Sequence, residues 1–130
     1  APNIDWSNLV QKPNSPTRVA SAACLGVLSE QVKNMIVSSA DLCNSDRTDG
    51  FLKDTHNITR GDFSGAFFQA GVSELTMACM CIGMYLHGGI IPACGTFFVF
   101  SDYMKPAIRM AALEWAKMVL LTSQLSKKHK

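Results

Sequence analysis

The stretch LHGGIIPACGTFFVFSDY, residues 86–103, compresses a helix end, an extended segment and a dense aromatic run into eighteen positions. Gly88 and Gly89 stop the helix before them, IIPACGTF reads as a short extended segment, and four aromatic side chains crowd the end. Phe97, Phe100 and Tyr103 stand three apart, so one helical turn would gather them on one face and leave Phe98 and Val99 to pack elsewhere. A protein core and a planar ligand ring would both use such a face, and the residues alone leave the two readings open.

Upstream, SELTMACMCIGMYLH (73–87) reads as a buried helix, and the spacing of Met77, Met80 and Met84 predicts a stripe facing the core. AFFQAGV (66–72) before it reads as a strand. Downstream, a helix is predicted from Asp102 through PAIRMAALEWA, with Pro106 tolerable in its first turn, and KMVLLTS (117–123) reads as a strand. Near the start, TRVASAACLGVLSEQV (17–32) places Val19, Ala23, Val27, Leu28 and Val32 at helical spacing, and NMIVSSAD (34–41) resembles a buried parallel strand. Residues 43–65, rich in Asn, Asp, Ser, Thr and Gly, read as a long loop.

The alternation predicts an α/β fold of three layers, a mostly parallel sheet with helices on both faces, over residues 17–122. Residues 1–16, with three prolines, read as an arm or linker, and 123–130 as a basic tail. No helix follows the last strand, so the domain is expected to be C-terminally incomplete, with another chain supplying the missing layer as the alternative.

At 130 residues, 48% hydrophobic and 17% charged, the chain is sized for one globular domain. The formal charge is +2 and the one basic cluster, Lys127, Lys128 and Lys130, lies at the end, which supports no nucleic-acid face. No apolar run has the length of a membrane span, and the start resembles no signal peptide, so the expected location is the cytoplasm. The five cysteines are irregularly spaced and read as buried thiols rather than a disulfide or zinc framework; no metal site is expected.

The common nucleotide-binding motifs, GxGxxG and GxxxxGK[ST], are missing. TDG (48–50) is a turn, and NIT (57–59) fits a glycosylation acceptor that has no meaning without a secretory signal. His87 sits where a helix-end histidine caps the last carbonyls. Glu74 is the only acid between Asp62 and Asp102 and opens an otherwise apolar helix. It either rests on the positive end of that helix or points into a dry cavity, where its desolvation must be repaid by a hydrogen-bonding partner.

LHGGIIPACGTFFVFSDYMKPAIRMAAL resembles the heart of the pyrimidine-binding domain of transketolase, whose pattern runs LHGG, GGTF, FSDY, RPAIRLAAL. The resemblance extends through PTRVASAACLGVL, SSADLCNSD and DFSGAFFQAGVSELTMACMCIGM and covers roughly residues 16–122. It implies a chain that holds the aminopyrimidine of thiamine diphosphate, with magnesium and the diphosphate bound by a separate domain or subunit in a homo- or hetero-oligomer. Glu74 is then the catalytic acid on the ring nitrogen, stabilising the imino tautomer; Phe97, Phe100 and Tyr103 form the aromatic pocket; Asp41 lies near the cofactor. Arg18 and Ser45 match residues that hold a sugar phosphate, and the implied reaction is two-carbon ketol transfer between such substrates. Ser73, where the family has Arg, Leu75, where it has His or an aromatic, and Cys94, where it has Gly, depart from the pattern. After LLTSQ the family's His-Asp-Ser stretch and the rest of the domain are absent, as is the domain that binds the diphosphate and magnesium, so the isolated chain is expected to be inactive. Two other readings stand beside this one: a non-catalytic relic or interaction module that keeps the fold and dimer surface, and a different thiamine enzyme, which FSDY and PAIRMAAL fit less well.

Overall fold

A computed structural model describes residues 3–7 and 9–123; the rest of the expected basic tail, 124–130, lies outside the described residues. The apolar runs fold as four strands, β1 (Met35–Ser39), β2 (Phe67–Gln69), β3 (Ile91–Phe97) and β4 (Val119–Ser123), every pair parallel, in the order β2-β1-β3-β4. Parallel neighbours need long crossovers, which three helices and two 3₁₀ segments supply, while a fourth helix precedes the first strand. The helices are α1 (Thr17–Gln31), α2 (Cys43–Asp46), α3 (Glu74–His87) and α4 (Lys105–Leu113); the 3₁₀ helices are Thr48–Lys53 and Phe98–Met104.

Alternation along the strands divides the core in two. On one face Met35, Val37, Phe67 and Ala93 pack with Leu25, Val32 and Phe51 beneath α1 and the first 3₁₀ helix. On the other, Cys94 joins Met77, Ala78, Cys81 and Ile82 of α3, Met104, and Ala107 and Ala111 of α4. Helices thus cover both faces of a parallel α/β sheet. Each large side chain buried here contributes about 1.5–3 kcal/mol, which is why Phe51, Phe67, Met77 and Met104, all under 2% exposed, dominate the two clusters.

Three local expectations are corrected, and α1 shows which of its faces is buried. In α1 the inward residues are Ala22, Leu25, Gly26 and Ser29, while Val19 is 40% exposed. Small residues face inward because the first 3₁₀ helix lies against α1 so closely that a Cβ on Gly50 would sit 2.7 Å from the Ala22 Cα. In α3 Met77 is buried, but Met80 is 37% exposed, and Ala78, Cys81 and Ile82 complete the inner face. The helix read from Asp102 begins at Lys105, after a 3₁₀ segment, with Pro106 in its first turn as expected. The stretch 43–65 is loop only in its second half, since α2 and the first 3₁₀ helix bury Asp46, Thr48 and Phe51.

The cysteines are unpaired, but only Cys81 and Cys94 are buried; Cys24 and Cys43 are half-buried and Cys79 is exposed. The N-terminal arm is pinned: Ile4 packs on the α1-side core, and the Gln31 amide accepts from Asp5 N–H (2.9 Å) and donates to its carbonyl (3.0 Å). No helix among the described residues is long and apolar enough to cross a membrane.

Candidate functional site

In a parallel sheet, ligands settle outside the carboxyl ends of the strands, where successive crossovers leave on opposite faces. Here β1 connects to β2 through α2 and the first 3₁₀ helix on the α1 face, and β2 returns to β3 through α3 on the other. A cavity of about 370 Å³ opens at that edge. Its walls are Ala40 and Leu42 beyond β1, Val72 and Glu74 beyond β2, and Phe100 and Tyr103 beyond β3.

The aromatic wall follows from the 3₁₀ helix. With three residues per turn, side chains at i and i+3 eclipse, so Phe97, at the end of β3, Phe100 and Tyr103 form one column. Phe97 and Phe100 have ring centroids 6.4 Å apart at 49°, and Phe100 and Tyr103 6.4 Å apart at 23°. Phe97 is the buried footing, whereas Tyr103 is 64% exposed.

Glu74 is the first residue of α3 and half-buried. Among the described residues its carboxylate takes no side-chain hydrogen bond or ion pair, so it benefits from the helix N-terminus and also faces the cavity. Ser73 precedes it without capping the helix; its hydroxyl donates to the Ala70 carbonyl (2.6 Å) and braces the turn that delivers Glu74. Leu75 points away, 44% exposed. Cys94 lies in regular parallel pairing with Ser38 and Leu120 and is absent from the positive-φ positions, so replacing glycine there strains nothing. His87 ends α3, which stops as expected at Gly88, whose N–H bonds the Met84 and Tyr85 carbonyls.

A second cavity, of about 260 Å³, is lined by Thr17, Arg18 and Ser21 of α1, Asp46, and Leu120, Leu121 and Thr122 of β4. Arg18 forms no ion pair among the described residues. Ser45 is exposed in α2 and does not line this cavity; Asp41 is exposed at φ 62° in the turn after β1 and lines neither. The sequence reading missed Asp46. Its one legible signal is the Asp-x-Thr spacing of a side-chain-capped turn, hidden in a run with Asp41 and Asp49 nearby. No group of three or more metal-ligating side chains occurs among the described residues.

The fold and its edge define a parallel α/β domain with an acid and stacked rings at the carboxyl ends of three strands. Residues 14–127 match the family model "Transketolase, pyrimidine binding domain", and the chain belongs to that family. It is 39% identical over 123 residues to the transketolase of Aquifex aeolicus, covering 93% of this chain and 18% of that protein. Against the Bacillus subtilis transketolase it is 42% identical over 113 residues, covering 84% and 17%. The fold is similar to the transketolase structure from Leishmania mexicana, with a TM-score of 0.81 and 31% identity over 89% of this chain and 18% of that one. A transketolase complex with sedoheptulose 7-phosphate from Pichia stipitis gives a TM-score of 0.81 at 26% identity over 93% and 19%. The chain thus spans under a fifth of the length of the relatives it matches.

Proposed function

We propose that the chain holds the aminopyrimidine of thiamine diphosphate for two-carbon ketol transfer between sugar phosphates. It does so with a diphosphate-binding domain or subunit, which supplies the magnesium site, in a cytoplasmic oligomer. The observation that carries this reading is the convergence of Glu74, Phe100 and Tyr103 on one cavity. The cavity suits the group: the two rings lining it are stacked at 23°, and the one acid facing it has no hydrogen-bond partner among the described residues. Family membership supports the choice of cofactor.

Thiamine diphosphate supplies the electron sink for cleavage beside a carbonyl. The chain's residues do the rest. Phe100 and Tyr103, on the footing of Phe97, stack against the ring, Leu42 and Val72 exclude water, and Glu74 holds a proton at a ring nitrogen. Asp41 stands at the rim of the same turn, and Arg18 with Ser45 receives the phosphate of the sugar. The relative crystallised with sedoheptulose 7-phosphate supports that substrate class.

Val72, in the cavity wall, is 78% exposed, and Phe98 and Val99, next to Phe100 in the chain, are 58% and 57% exposed, which favours a partner over this surface. The alternative, a non-catalytic relic or interaction module, is favoured by one observation: the carboxylate of Asp46, not the hydroxyl of Ser45, lines the Arg18 cavity.

Titration with thiamine diphosphate, followed by calorimetry, tests the first reading. Glu74→Gln should weaken binding roughly 10- to 150-fold, the worth of one charge-assisted hydrogen bond. Mixed with a diphosphate-binding domain, the wild-type chain should transfer two carbons from a ketose phosphate and the variant should not. Equal binding by both, or no transfer with any partner, would leave the relic.

A further inference from the structure

Between the Glu74 and Arg18 cavities lies a buried polar knot whose hydrogen bonds the proposed ligand contacts do not use. Asp46 is 5% exposed, yet its carboxylate is fully engaged. One oxygen accepts the Thr48 N–H (2.9 Å) and the Thr48 hydroxyl (2.8 Å), and the other accepts the Ser39 hydroxyl (2.9 Å). Ser39, with no exposed surface, in turn accepts the Leu42 N–H (3.2 Å). The chain of bonds therefore runs from the start of the first 3₁₀ helix, through the end of β1, to the backbone of a residue that walls the Glu74 cavity.

Two structural features flank this knot. Asp41, between Ala40 and Leu42, adopts φ 62°, a left-handed conformation that needs its surroundings to hold it. On the other side β3 presses so close that a Cβ on Gly95 would meet the Thr48 methyl and stand 3.2 Å from Asp46 Oδ2. Gly95 is two residues from Phe97, the footing of the aromatic column. Asp46 thus bonds the end of β1 and, with Thr48, leaves no room for a side chain at Gly95 of β3, while itself lining the Arg18 cavity.

We propose that Asp46 is the positioning residue of the site: through Ser39 it fixes the Ala40–Leu42 wall of the Glu74 cavity, and its own carboxylate fixes the floor of the Arg18 cavity. It touches neither ring nor proton and acts through the backbone it holds. The inference rests on the proposed function only for the identity of the ligand.

The test compares Asp46→Ala, Asp46→Asn and Ser39→Ala in the full chain, by backbone amide exchange and by thiamine diphosphate titration. Asp46→Ala and Ser39→Ala should each speed exchange at Leu42 about tenfold or more and weaken thiamine diphosphate binding about tenfold, one net hydrogen bond. The double variant should be no weaker than the worse single, because both cut one chain. Asparagine, which can accept from Thr48 and donate to Ser39, should restore binding to within about twofold. A buried Val32→Ala control should lower stability without moving affinity. Wild-type exchange at Leu42 in the folded Ser39→Ala variant would overturn the proposal, as would additive losses in the double variant. Ser39→Ala removes a single oxygen, so it decides the matter even if Asp46→Ala does not fold. Should the wild-type chain fail to bind thiamine diphosphate, the functional reading falls, and the Leu42 exchange alone still decides for or against the tie.

Discussion

Two buried side chains carry measurable consequences of their own. Thr96 is fully buried on β3, and its hydroxyl has no hydrogen-bond partner among the described residues. An unmade hydrogen bond in the interior costs about 1–3 kcal/mol, and valine has the same shape without the hydroxyl. Thr96→Val should therefore raise stability by about 1 kcal/mol in urea unfolding; a loss of that size would mean the hydroxyl is satisfied. Cys94 offers a pH signature. Its hydrogen bond with Cys81, its burial, and the repulsion that a Cys81 thiolate would exert together push its thiol well above the ordinary range. The sign follows from that direction. A thiol held neutral in the fold but free to ionise once unfolded contributes stability that is complete below about pH 8.5 and is lost as pH rises. The loss should approach about 1.4 kcal/mol per pH unit. Cys94→Ala should flatten the alkaline limb of stability against pH relative to the parent, and parallel limbs would refute the assignment.

At the scale of elements, the sharpest test concerns residues 43–65. Phe51 is 1% exposed in the first 3₁₀ helix, whereas Phe63 is 78% exposed. Phe51→Ala should cost about 3–5 kcal/mol and Phe63→Ala under about 0.5, read from denaturant midpoints. Equal small effects would return the whole stretch to loop. The contrast also shows what a sequence reveals and what it hides. The four strands, α1, α3 and the Gly88 stop were legible because apolar runs and glycine act locally, through period and punctuation. The folded half of 43–53 was not, because Asp and Thr mark turns in general, and only tertiary packing tells that Asp46 and Thr48 turn their polar groups inward. The same limit hid which face of α1 is buried: valines at helical spacing look like a core stripe, but close approach of a neighbouring backbone selected Ala22 and Gly26 instead. The aromatic column was legible from its spacing of three, which a 3₁₀ segment turns into eclipsed rings. Its depth was not, since Phe97 belongs to the strand and Tyr103 to the surface.

The whole molecule puts its chemistry at one edge and its unfinished surface around it. The Glu74 and Arg18 cavities open at the carboxyl end of the sheet, on opposite faces, and among the described residues the helices leave that edge uncovered. Of the residues lining the Glu74 cavity, Val72 and Tyr103 are 78% and 64% exposed, and Phe98 and Val99, in the 3₁₀ helix that carries Phe100, are 58% and 57% exposed. Water reaching that cavity would weaken every electrostatic contact Glu74 makes, so covering the mouth would strengthen binding at the proposed ring site. The proposal of a diphosphate-binding partner therefore makes a prediction separable from cofactor binding. A charge placed in the cavity wall by Val72→Asp, or beside Phe100 in the chain by Val99→Asp, should leave the melting temperature of the isolated chain within a few degrees, because both positions are exposed. The same charge should weaken association with the partner at least about 30-fold, the cost of losing a central apolar contact. Sedimentation of the mixed chains reads the second quantity and calorimetry the first. Unchanged association in both variants would put the docking face elsewhere, away from the cavity that Glu74 lines.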